Sequence, residues 1–145
     1  MMKNILVATD FSQDADRALE AAIRLAQQTE GRLTLLHVQP MGSYMLPPPL
    51  DVVTIPADDT QLAAADQALA TRAARVRDAR VPVEQRTLLG ASHEGIIEAA
   101  KSIGADLIVI GSHGTGALAT ALIGSVASRV IRHAPCPVLV IPHGT

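Results

Sequence analysis

GSHGTGALATALIGS, residues 111–125, is the stretch on which the reading of this chain turns. It follows an apolar run, ADLIVI at residues 105–110, and leads into SVASRVIRH at residues 125–133, which repeats with helical period. The order is strand, glycine-rich loop, helix start. Glycine lets a backbone approach a ligand closely, and a helix N-terminus offers unpaired N–H groups and a partial positive charge. Together they make an anion site, most often for phosphate. The spacing Gly111-x2-Gly114-x9-Gly124-Ser125 holds more glycine than a strand-to-helix turn requires.

The remaining segments place this loop in a fold. Asn4–Thr9 is a short apolar run without alternation, as in a strand buried on both faces, and it ends at Asp10. Ser12 fits a helix N-cap, with Asp14 and Asp16 in the first turn and Ala15, Leu19, Ala22, Ile23 and Ala26 on one stripe. Gly31 is the expected stop and Arg32–Val38 a second strand. Residues 39–60 hold five prolines and little periodicity, and read as a long loop. Asp58–Arg80 reads as a helix with Leu62, Leu69 and Val76 one heptad apart, and Val81–Leu88 as a third strand. Ser92 is the expected cap of a third helix with Ile96, Ile97 and Ala100 inward, ended by Gly104. Ala105–Ile110 and Cys136–Ile141 complete the strands. Alternation of strand and helix predicts a single-domain α/β fold over residues 1–145, an open five-stranded parallel sheet of order 3-2-1-4-5 with helices on both faces. Asp10 and Gly111 then end adjacent strands at the switch point, where such sheets bind ligands.

Composition removes other classes. Apolar residues make up 48%, charged residues 18%, and the net charge of −2 lacks the basic excess of a nucleic-acid binder. Phe11 and Tyr44 are the only aromatics, too few for a base-stacking platform. No run of 18 apolar residues suits a membrane span, and the MMKNILVATD start reads as no signal peptide. A single cysteine, Cys136, excludes an intrachain disulfide and fits a cytoplasmic protein; between Pro135 and Pro137 it reads as a small buried hydrophobe. His37, His93, His133 and His143 are scattered without HxxxH spacing, which argues against a histidine metal site. Gly114–Ala119 fits GxGxxA but follows the fourth strand, so it is read as accidental, and there is no GxxxxGK[ST] loop.

The pieces ILVATDFS (Ile5–Ser12), LTLLHV (Leu33–Val38), Gly90, ADLIVIGSHG (Ala105–Gly114) and IGSVASRVIRHAPCPVLVI (Ile123–Ile141) resemble the universal stress protein family. The glycine spacing resembles its ATP-binding branch. That resemblance implies a pocket in which Ala8, Thr9 and Asp10 line the adenosine side and the Val38 backbone meets the adenine edge. It puts Ile110 and Gly111 near the ribose and first phosphates. Gly114, Gly124, Ser125 and Val126 would present N–H groups and one hydroxyl to the phosphates, bridged by Mg²⁺. Asp10 alternatively serves only the turn before the helix. His113 fits either a phosphate contact or a solvated loop.

No Lys or Arg lies between Gly111 and Ser125, and fast phosphoryl transfer usually needs such a clamp. The expected function is therefore ATP binding in a regulatory or stress role, with slow or no hydrolysis. A nucleotide-free dimeric interaction module is the second reading. An adenylyl-transferring or ATP-pyrophosphatase enzyme is weaker, because Ala8–Ser12 lacks the SGGxDS glycines of that related architecture. The apolar edge strand Cys136–Ile141, bounded by Pro135 and Pro142, predicts a homodimer through strand pairing, as the family resemblance also implies. Residues 39–60 remain open to a lid, a protein-partner site or disorder.

Overall fold

A computed structural model describes residues 2–45, 47–49, 52–55, 58–114 and 123–144. The elements run β1 (Asn4–Ala8), α1 (Gln13–Thr29), β2 (Arg32–Gln39), β3 (Gly42–Met45), β4 (Val52–Ile55), α2 (Asp59–Asp78), β5 (Val83–Leu89), α3 (Ser92–Ile103), β6 (Leu107–Gly111), α4 (Ser125–His133) and β7 (Val138–Ile141). Five strands form one parallel sheet in the order β5-β2-β1-β6-β7. Counting only those five, this is the expected 3-2-1-4-5.

Strand alternation divides the core between the two faces. Ile5, Val7, Leu33, Leu35, Leu107 and Val109 meet the buried stripes of α1 and α2. Leu6, Leu36, Val38, Ile108 and Ile110 meet α3 and α4 on the other side. The central strands are covered on both faces, so they read as continuous apolar runs. The α1 stripe holds as expected, with Ala15, Leu19, Ala22, Ile23 and Ala26 all buried. In α3 the inward residues are Ile96, Ala99 and Ala100, with Ile97 only half-buried. No helix among the described residues is long and apolar enough to cross a membrane.

Residues 39–60 are not a plain loop. They hold an antiparallel hairpin in which Gly42 pairs with Ile55 and Met45 with Val52. Two cap assignments also differ. Ser92 is the first residue of α3, and Ala91 takes the N-cap position without a side-chain bond. At the end of α1 the left-handed residue is Glu30, at φ 55°, and not Gly31. Gly31 is instead required by close approach, since a Cβ there would lie 2.7 Å from the Lys3 carbonyl oxygen. Residues 115–119 of the GxGxxA pattern and residues 117–122 of the apolar segment before Ile123 fall outside the described residues.

Gly31 and Gly104 are glycines for different reasons. Gly104 caps α3 at φ 63°, with open space where a Cβ would stand. Gly31→Ala forces a backbone shift and is expected to cost about 1–3 kcal/mol. Gly104→Ala pays only left-handed strain, partly offset by a less flexible unfolded chain, for a net cost of about 1 kcal/mol or less. Denaturant midpoints at constant m-value check both, and a larger loss at Gly104 contradicts the packing account.

Candidate functional site

The turn from β1 to α1 is built by three short polar side chains. Thr9 Oγ1 accepts from Phe11 N–H at 3.0 Å, Asp10 Oδ1 from Ser12 N–H at 3.0 Å, and Ser12 Oγ from Ala15 N–H at 3.2 Å. These bonds hold Phe11 at φ 67°, an uncommon conformation for a bulky residue. Asp10 thus serves the turn through Oδ1. Its other oxygen faces Gly114, where a Cβ would fall 2.4 Å from Oδ2.

The Phe11 ring is fixed from two directions. It stacks on His37, with centroids 4.4 Å apart, and the Arg72 guanidinium carbon lies 4.9 Å from its centroid. Arg72 also grips Asp16 through two bonds of 2.7 and 3.2 Å, joining α2 to α1. His37 Nδ1 donates to the Thr9 carbonyl oxygen at 2.8 Å, which ties β2 to the end of β1.

The opposite lip comes from β6 and α4. Gly111 packs against the Asp14 backbone, where a Cβ would meet the Asp14 carbonyl carbon and oxygen at 2.9 Å. Gly124 is the N-cap of α4 and no side chain caps this helix. The Gly124 N–H donates to the Ser112 carbonyl oxygen at 2.6 Å. The Gly124 N–H is thus engaged between the two ends of the glycine segment, at the edge of the cleft. Ser125 and Val126, the first two residues of α4, follow it at the cleft.

Between these lips lies a cleft of about 880 Å³. All eleven residues singled out from the sequence line it: Ala8, Thr9, Asp10, Val38, Ile110, Gly111, His113, Gly114, Gly124, Ser125 and Val126. Sequence reasoning missed Phe11, His37 and Gln39 on one side, and Gln61 and Ala65 of α2. Phe11 and His37 lie within segments that carry the family resemblance but form no site pattern of their own, and α2 reaches the cleft only through tertiary packing. Among the described residues lining the cleft there is no Lys or Arg, and the one carboxylate is Asp10.

His113 is not a solvated loop side chain. It is 11% exposed, and its Nδ1 lies 2.9 Å from Ser112 Oγ and 3.7 Å from Asp14 Oδ2. His143, from the segment after β7, places Nδ1 2.9 Å from Asp14 Oδ1. His143, which reads in the sequence as one of four scattered histidines, therefore meets His113 at the Asp14 carboxylate. Cys136 is half-buried, and burial, then the Asp106 carboxylate, push its thiol above its usual value. It stays a thiol at neutral pH and reads as packing, not as a nucleophile.

The universal stress protein family model matches residues 1–142. A universal stress protein of Thermus aquaticus is 35% identical over 143 residues, covering 97% of this chain and 99% of that one. Universal stress protein UspA from Lactobacillus plantarum has the same fold, with a TM-score of 0.82 and 32% identity over 97% of each chain. A universal stress protein solved in complex with cAMP aligns with a TM-score of 0.72 and 25% identity, again over 97% of each chain. Sequence, family model and fold agree along nearly the whole length, and the chain belongs to the universal stress protein family.

Proposed function

We propose that the protein is an ATP-binding regulatory member of its family, acting in the cytoplasm, for which the nucleotide is a ligand and not a fuel. The observation that carries this reading is the convergence of Asp10, the glycine lip and the uncapped start of α4 on one cleft. Its volume of about 880 Å³ suits a nucleotide-sized ligand. An apolar wall of Val38, Ile96 and Ile110 suits a base, and the N–H groups opening α4 suit phosphate. Asp10 supplies a hard oxygen donor for a Mg²⁺ held mainly by phosphates and water. A related protein solved with cAMP supports an adenine nucleotide as the ligand class.

The lining argues for binding over turnover. Without Lys or Arg among the described lining residues, none of them clamps the charge that develops on a transferring phosphoryl group. Hydrolysis is expected below about 1 s⁻¹, the low end for kinases, in a steady-state phosphate-release assay. A faster rate that survives purification to homogeneity contradicts the ligand reading.

The purified protein, denatured and run on an ion-exchange column, is expected to release ATP, and calorimetry with MgATP should show one site per chain. A Val side chain at position 114 would meet Asp10 Oδ2. Gly114→Val is therefore expected to weaken MgATP binding at least tenfold while the circular dichroism spectrum stays folded. Unchanged affinity removes the pocket assignment. Binding of cAMP but not MgATP would replace the triphosphate with a cyclic monophosphate as the ligand. No nucleotide in either assay favours the dimeric interaction module.

Strand β7 lies at the sheet edge, with Leu139 39% exposed. A bare apolar edge invites pairing. We place the homodimer there, through antiparallel β7 contact of Cys136–Ile141. Sedimentation at micromolar concentration is expected to give a dimer that Leu139→Lys weakens, whereas a stable wild-type monomer excludes it.

A further inference from the structure

Asp14 and His143 stand outside the cleft lining, while His113 stands on its boundary. The three are drawn from the first turn of α1, the segment after β6 and the segment after β7. Asp14 is buried, its side chain 6% exposed. Both its oxygens lie at hydrogen-bond distance from His143 Nδ1, at 2.9 and 3.0 Å. His113 approaches the same carboxylate, and the two imidazole rings meet edge to face with centroids 5.4 Å apart. One donor atom from each residue lies within 4.8 Å of the others. The one carboxylate thus faces two imidazoles, His143 Nδ1 at 2.9 Å and His113 Nδ1 at 3.7 Å, the latter also 2.9 Å from Ser112 Oγ.

We propose that Asp14, His113 and His143 form a binding site for one divalent transition-metal ion of borderline softness, with Zn²⁺ as its representative. Two imidazole nitrogens and one carboxylate select such ions over Mg²⁺ and Ca²⁺, which prefer oxygen donors. Metal–ligand bonds of about 2.0–2.1 Å put tetrahedral donors about 3.3 Å apart. The contacts of Asp14 Oδ2, 3.0 Å to His143 Nδ1 and 3.7 Å to His113 Nδ1, bracket that spacing. The widest gap must close by about 1.5 Å at most. His143, with its side chain 64% exposed, can supply that movement by rotating. The Arg17 guanidinium lies against Gly144, and its exposed side chain can turn away from a bound cation. Three protein ligands leave a fourth position for water or for an anion from the cleft that His113 also lines. The ion would fasten the segment after β7 to α1 and to the base of the glycine loop.

The test is a Zn²⁺ titration of the full chain, without a histidine tag and without nucleotide, against a chromophoric chelator, paired with Co²⁺ absorption spectra. The expected result is one Zn²⁺ per chain and Co²⁺ bands of a low-coordinate nitrogen and oxygen site. His143→Ala, at an exposed position, and Asp14→Asn should each weaken binding at least tenfold. His133→Ala, outside the cluster, should leave it unchanged. Absence of stoichiometric binding overturns the site, as does binding that survives both cluster variants or depends on His133. Because no nucleotide is present, the result is independent of whether the cleft takes ATP.

Discussion

Strands β1 and β6 lie side by side at the centre of the sheet, yet the chain leaves them in opposite directions. From β1 it passes through α1 to β2 on one side; from β6 it passes through α4 to β7 on the other. Neither connection can cover the gap between their carboxyl ends, so a crevice is left there. The pairing of Val7 with Val109 sets the two lips at one level. Asp10 follows one strand and the glycine loop begins at the end of the other. Every residue of the candidate pocket depends on that divergence, and the divergence depends on a sheet buried on both faces.

Packing at the crevice explains the glycines before any ligand is considered. Gly111 is pressed on the Asp14 backbone, Gly114 on the Asp10 carboxylate, and Gly124 lies where a Cβ would be 3.0 Å from the Ser112 carbonyl oxygen. A glycine-rich connector is thus demanded by the close approach of β6, α1 and α4. The ligand reading rests less on the number of glycines than on what they bring together: a helix start without a side-chain cap, the Asp10 carboxylate, and an apolar wall with no Lys or Arg among the described lining residues.

Much of this was legible in the sequence because its signals are local. Short apolar runs marked buried strands, the stripe from Ala15 to Ala26 marked α1, and Ser125–His133 agrees with α4 in both bounds. The hairpin of β3 and β4 was hidden because Val52–Ile55, though rich in β-branched residues, lies among prolines and lacks alternation. Gly31 was assigned to the wrong cause, since the Lys3 backbone that crowds it is distant in sequence. The Phe11–His37 stack and the meeting of Asp14 with His113 and His143 have no spacing signature at all. They exist because parallel topology gathers the carboxyl ends of separate strands.

The hydrogen bond from Gly124 N–H to the Ser112 oxygen also bears on how the family motif should be used. It ties the start of α4 directly to the residue that follows β6. The two lips are therefore joined by a contact that does not involve the residues between Gly114 and Gly124. A relative with a different number of residues between those glycines can keep both lips in place if it keeps this bond.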